Sequence, residues 1–219
     1  MPIHLERDLE QLKKAILTLG AMVESATDRA ILALTDRRLE LAEEVIVGDR
    51  AIDDREIKVE GECLKILALH QPVANDLRYV IAMLKVNSDL ERVGDLAGNV
   101  AERAATLIRD HEAVAIPPQI HEMGVIARAM LRDSLNALIH QNTELARKVL
   151  DDDEEVDRRH KEIYGVLQAR MKTDPQQVDT CIPLMSVSRY LERIADMATN
   201  IAEDVVFMVD GEVIRHRPA

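Results

Sequence analysis

Two stretches of this chain space their carboxylates in a way that suits a cation. Residues 90–102 read LERVGDLAGNVAE, and residues 191–203 read LERIADMATNIAE. Glu91, Asp95, Asn99 and Glu102 are matched, 101 residues later, by Glu192, Asp196, Asn200 and Glu203. On an α-helix turning about 100° per residue, positions i, i+4, i+8 and i+11 fall within roughly 80° of arc. Each copy therefore presents three carboxylates and one amide along a single stripe. Like charges at i,i+4 work against a helix, so a locally unfavourable pattern that occurs twice calls for a reason.

Upstream of each stretch lies a second acidic element. Asp49 and Asp53 are four apart and are followed by Glu56 and Glu60; Asp153 and Asp157 are four apart and are followed by His160 and Tyr164. If each pair of acidic segments forms an antiparallel hairpin, residues equidistant from the bend share a height. The pairs Asp53/Glu91 and Asp49/Asp95 are both centred on Pro72, a helix breaker. The pairs Asp157/Glu192 and Asp153/Asp196 are both centred between Asp174 and Pro175. Four carboxylates are thus expected to converge in each half, each raising the pKa of the others unless a cation intervenes. Carboxylate ligation favours hard ions, or iron and manganese, and zinc joins them with an added amide or His160. Eight oxygens exceed the needs of one small cation, which suggests a bridged cluster. Asn99 and Asn200 are placed to add a carbonyl oxygen or to orient a carboxylate.

Other charged groups read as surface. The halves differ at Glu56, Glu60, His160 and Tyr164. Glu24 and Asp28 have Arg128 and Arg132 as counterparts, so they are expected to be solvated. No nucleophile–base arrangement is evident, and the Glu-x-x-His of di-iron bundles is absent from the sequence.

These residues need rigid rods, and the chain supplies them. Apolar residues recur at helical period from Leu5 to Leu34, Leu39 to Leu69, Val73 to Arg109, Ile120 to Ile139, Glu144 to Met171, and Pro175 to Val209. Asp174 is suited to cap the last helix, with Pro175 at its first position. The double proline Pro117–Pro118 is the best boundary signal, giving units 1–114 and 115–219. The first two helices of each unit align at an offset of 104 residues and the third at 101. The expected fold is all-α: two tandem three-helix bundles related by duplication. The carboxylates should lie on the exterior, opposite the apolar stripe of Val93, Ala97, Val100 and Ala104.

Composition agrees with helices packed through aliphatic side chains: aromatics make up 2% and tryptophan is absent. A net charge of −12 argues against nucleic-acid binding. Cys63 and Cys181 sit far apart on apolar faces and read as buried free thiols. No charged-then-apolar leader opens the chain, and no apolar run approaches the ~18 residues of a bilayer span, so a soluble, cytoplasmic protein is expected. The final residues form a short, partly basic tail.

With both Glu-Arg-[Val/Ile]-[Gly/Ala]-Asp motifs, the upstream Asp-x-x-x-Asp elements and the Gln71–Pro72…Asp76–Leu77–Arg78 segment in view, the chain resembles the PhoU family along nearly its whole length. The resemblance implies a pair of three-helix bundles and multinuclear iron or zinc clusters, with manganese or magnesium as alternatives. One cluster would fall on Asp49, Asp53, Glu91 and Asp95, the other on Asp153, Asp157, Glu192 and Asp196. It implies regulation instead of catalysis: a negative regulator of the phosphate-starvation response that couples a phosphate ABC transporter, through its ATPase, to a sensor histidine kinase. Membrane association would be indirect, through those partners, and a homodimer is expected. Ala195 stands where the first copy has Gly94; since both copies keep their carboxylates, that glycine is expected to serve packing. The competing readings are a metal-dependent phosphoesterase and a metal-free helical scaffold.

Overall fold

The computed structural model describes residues 3–214, and among these it consists of six long helices. They are α1 (Ile3–Thr35), α2 (Leu39–His70), α3 (Ala74–Asp110), α4 (Pro118–His140), α5 (Thr143–Thr173) and α6 (Val178–Asp210). The basic tail, residues 215–219, lies outside the described residues. Breaks fall where backbone chemistry requires them. Gln71 takes a left-handed φ of 44° just before Pro72, and its N–H donates to the Leu67 carbonyl. Gln141, at φ 51°, closes α4, and the Asn142 side chain then accepts from the Leu145 N–H to start α5. Asp174 does act as a cap, accepting from the Gln176 N–H, but it caps a 3-10 turn, Pro175–Gln177, which leads into α6.

α3 and α6 form the centre, packed against each other; α1 and α2 flank α3, while α4 and α5 flank α6. One continuous apolar core runs through both halves. Val93, Ala97, Val100 and Ala104 lie in it, as their stripe requires. α2 and α5 are outermost, and each meets only the helices of its own half. Each buries one narrow seam: Val45, Ile52, Val59 and Ile66 in α2, and Val149, Val156 and Ile163 in α5. That spacing of seven is the seam of a coiled coil; outside it α2 carries charge but also exposes Val47, Ile57, Leu64 and Leu69. Cys63 is a buried free thiol, and burial pushes its pKa up to about 12; Cys181 is buried and free as well.

The two halves meet through equivalent positions of α1 and α4. A methyl group on Gly20 would lie 2.8 Å from Leu135 Cδ1, and one on Gly124 would lie 2.9 Å from Ile31 Cδ1. Gly124 is the counterpart of Gly20, and Leu135 that of Ile31. The contact is thus self-complementary about a pseudo-twofold axis, as in an isologous dimer. In sequence Gly20 only weakens a helical run; in the fold it admits a side chain of the other half. Asp28 keeps its side chain 41% exposed and is also ion-paired with Arg128 across this junction. Within each half, one ion pair recurs with its charges exchanged: Arg29–Glu44 at 3.1 Å, and Lys148–Asp133 at 3.4 Å. At the far end of the first half, the His70 ring lies 3.0 Å from the Asp8 carboxylate and ties the end of α2 to the start of α1.

Candidate metal centres

The hairpin of α2 and α3 brings Asp49 opposite Asp95 and Asp53 opposite Glu91. One oxygen from each of Asp49, Asp53 and Asp95 lies within 4.8 Å of the others. Two oxygens on opposite sides of a cation, each about 2.0–2.4 Å from it, stand roughly 4–4.8 Å apart, so this donor set fits a single hard ion. Burial, then the charges of Asp53, Asp95 and Glu102, raise the Asp49 pKa. Burial and Asp53 raise that of Asp95. Glu91 is raised by burial, then by Asp95, Asp53 and Glu56, against a small opposing pull from Arg92. Among the described residues no lysine or arginine forms an ion pair with any of these four carboxylates. Gly94 and Gly98 lie beside this carboxylate: a methyl group on Gly94 would meet Asp49 Oδ1 at 3.7 Å and one on Gly98 would meet Asp49 Cγ at 4.0 Å, both ordinary contact distances.

The second hairpin repeats the arrangement more loosely. Burial, then Asp196, Asp157 and Glu192, push the Asp153 pKa up to about 6. Asp196 is raised by burial, Glu192 and Asp157, with Arg193 opposing. Asp157 is exposed and 3.7 Å from Lys161 Nζ. Among the described residues, this set does not bring three carboxylate oxygens within the span seen in the first half. The asparagines are half-buried along the same stripes. The Asn99 amide nitrogen donates to the Asp95 carbonyl at 2.8 Å, leaving its oxygen as the atom with ligand character; the Asn200 amide nitrogen lies 3.8 Å from Met197 Sδ.

Two residues read as surface belong beside these carboxylates. Glu56 Oε1 accepts from Asn87 Nδ2 at 2.9 Å, and Asn87 is fully buried. Burial, then Glu60 and Asp53, raise the Glu56 pKa. The counterpart of Glu56 is His160 and that of Asn87 is Ser188, and here too the pair is bonded: His160 Nδ1 and the buried Ser188 Oγ are 2.8 Å apart. The usable signal in the sequence is a polar residue four positions before each motif glutamate, Asn87 before Glu91 and Ser188 before Glu192. His160 shares an open cleft of about 470 Å³ with Tyr164, Arg189, Glu192, Arg193 and Asp196.

Two three-helix bundles sharing one core, each with an acidic hairpin on its outer wall, define a duplicated helical protein with paired exterior carboxylate sites. A family model described as the PhoU domain matches residues 16–104 and again 120–205. The chain belongs to the PhoU family. It is 38% identical over 220 residues to a phosphate-specific transport system accessory protein PhoU homolog of Aquifex aeolicus, covering 98% of this chain and 97% of that one. The crystal structure of PhoU from Pseudomonas aeruginosa superposes with a TM-score of 0.92 at 35% identity, covering 94% of this chain and 99% of that one. The phosphate transport system regulatory protein PhoU from Streptococcus pneumoniae gives a TM-score of 0.86 at 30% identity, over 96% and 99% of the two chains.

Proposed function

We propose that this protein is an accessory regulator of phosphate uptake, linking the ATPase of a phosphate ABC transporter to a sensor histidine kinase and restraining the phosphate-starvation response when phosphate is plentiful. In this reading each half, 1–114 and 115–219, is one repeat of the family domain. Asp49, Asp53, Glu91 and Asp95 hold one metal cluster, with Asp153, Asp157, Glu192 and Asp196 holding the other and Asn99 and Asn200 alongside. The metal would be iron or zinc, with manganese or magnesium as alternatives; when bound, it would neutralise the crowded carboxylates. The protein works in the cytoplasm as a homodimer, at the inner face of the membrane through its partners. Among the described residues no helix is long and apolar enough to cross a membrane.

The observation that carries this reading is the convergence of Asp49, Asp53 and Asp95 oxygens on the outer wall of the family fold. α2 and α5 are covered by no helix of the other half, so a cation there faces whatever docks on the protein. The relatives named above are an accessory and a regulatory protein of phosphate transport, and this chain is read as a regulator and not an enzyme. In the native host, deleting the gene should switch on phosphate-starvation genes in phosphate-rich medium, and a copy carrying Asp49→Asn, Asp53→Asn and Asp95→Asn should fail to restore repression. Unchanged repression in the deletion strain would sink the regulatory reading. Robust hydrolysis of a generic phosphoester by metal-loaded protein, abolished by Asp95→Asn, would favour a phosphoesterase instead.

A further inference from the structure

The outer face of α2 carries a second apolar row besides its buried seam. Ile57, Gly61, Leu64 and Ala68 follow one another at spacings of four, three and four, which on a helix keeps them within about 60° of arc. All four are exposed, Ile57 by 63% and Leu64 by 54%, and a side chain built on Gly61 would meet only open space. Such spacing is the seam by which one helix receives another. The inner seam of Ile52, Val59 and Ile66 is filled by the bundle, whereas the outer row has no helix on it among the described residues.

By the same helical count Asp53 and Glu60 border the row on one side, and among the described residues no lysine or arginine forms an ion pair with either. The second half shows what is missing. There the counterparts of Ile57, Leu64 and Ala68 are Lys161, Gln168 and Lys172, and Lys161 Nζ lies 3.7 Å from Asp157, the counterpart of Asp53. One half supplies its own cation at this place; the other puts an isoleucine there. We infer that the outer row of α2 docks an amphipathic helix of a partner protein, its apolar side on Ile57 and Leu64 and its lysines or arginines against Asp53 and Glu60. Assigning that helix to a partner of the regulator rests on the function proposed above.

Area and charge both favour such a helix over a second copy of this chain. A stable dimer buries ~800 Å² on each partner. Two aliphatic side chains with an alanine and a glycine fall far short of that, but they match the few anchors, three and four residues apart, that hold a single docked helix. The chain carries a net charge of −12, so a second copy would bring further carboxylates toward Asp53 and Glu60, whereas a basic helix complements them.

The probe is a dye-labelled synthetic helix of about three heptads, with leucine along one seam and lysine on its flanks, beside a twin with glutamate in place of lysine. Fluorescence anisotropy with the full chain should show one-to-one binding of the lysine helix and none of the twin. Ile57→Lys combined with Leu64→Gln, which places the second half's residues on the row, should weaken binding about tenfold or more, and Glu60→Gln should weaken it less. Circular dichroism checks that the variants fold. Equal binding by the double variant overturns the inference, because attraction to an acidic protein then suffices. A wild-type dimer in sedimentation that the double variant dissociates also overturns it, since a second copy then covers the row. In the deletion strain the double variant should fail to restore repression, and full repression would show that no regulatory partner uses this face. A deletion that leaves repression unchanged sinks the regulatory reading and leaves the peptide result standing.

Discussion

Gly94 lies directly against Ile52: a methyl group placed on the glycine would come within 3.0 Å of the isoleucine Cγ2 and 3.2 Å of its Cδ1. In the second half the equivalent positions are Ala195 and Val156, both fully buried. One residue gains a methyl where the other loses one, so the volume between the two helices is kept. This explains how the motif glycine can be absent from one copy while the carboxylates on either side of it persist. Its task is to let α2 approach α3.

Gly94→Ala should therefore be a packing variant with a partner. Alanine favours the helix by about 1 kcal/mol over glycine, but overpacking costs about 1–3 kcal/mol. The single variant is expected to lose up to about 2 kcal/mol. Adding Ile52→Val, which alone costs about 0.5–1.5 kcal/mol, should bring the double variant back toward wild type. Urea unfolding of the full cycle measures this. Simple additivity would show that the two side chains do not meet.

The pseudo-twofold junction should tolerate its two glycines unequally. An alanine at Gly20 meets the far end of Leu135, with the atoms behind it at 3.3 and 3.6 Å. An alanine at Gly124 meets three atoms of Ile31 between 2.9 and 3.2 Å, and a β-branched side chain has little rotamer freedom to yield. Gly124→Ala is expected to cost about 1–3 kcal/mol and Gly20→Ala distinctly less. Denaturant midpoints rank them, and the reverse order would refute the contact geometry.

Asp95→Asn separates repulsion from ligation. Without metal, the variant should be more stable than wild type, because it removes one charge from a crowded set whose members raise each other's pKa. With manganese or iron at a hundredfold excess over Kd, a bound ion adds about 2.7 kcal/mol to wild type, roughly 5–10 °C for a chain of this size. The variant should gain much less. Thermal scans with and without ion read both arms, and equal shifts in the two proteins would rule out Asp95 as a ligand.

The Asp153 carboxyl gives a pH signature. Its pKa in the folded chain is about 6 against a usual 3.8, so between those values the folded state holds more protons than the unfolded one. Stability then falls as pH rises from about 4 to about 6 and stays lower above that. Asp153→Asn cannot ionise and should escape this loss. In metal-free protein the variant's advantage should be near zero at pH 4 and reach a plateau above pH 6. An advantage independent of pH would place the effect elsewhere.

Much of this architecture is written in local chemistry. Pro72 follows directly on the end of α2, while Pro118 and Pro175 open the next helical segments, because proline lacks the donor and restricts its neighbour; Pro183, in contrast, is carried inside α6. The 3.6-residue period then sets which face of each rod is apolar, and a rise of 1.5 Å per residue sets which carboxylates share a height across a hairpin. The duplication, the six rods and the facing of Asp53 with Glu91 follow from those constants alone. Other features depend on how rods distant in the chain rotate against one another, which no local period encodes. That rotation decided that Gly20 faces Leu135 and that Asp28 meets Arg128. It decided that Glu56 and His160 turn toward buried Asn87 and Ser188, and that three carboxylate oxygens close up in the first half but not in the second. Side-chain volumes at the seams, where Ile52 and Gly94 give way to Val156 and Ala195, set the final distances, and those become known only when all the helices are packed at once.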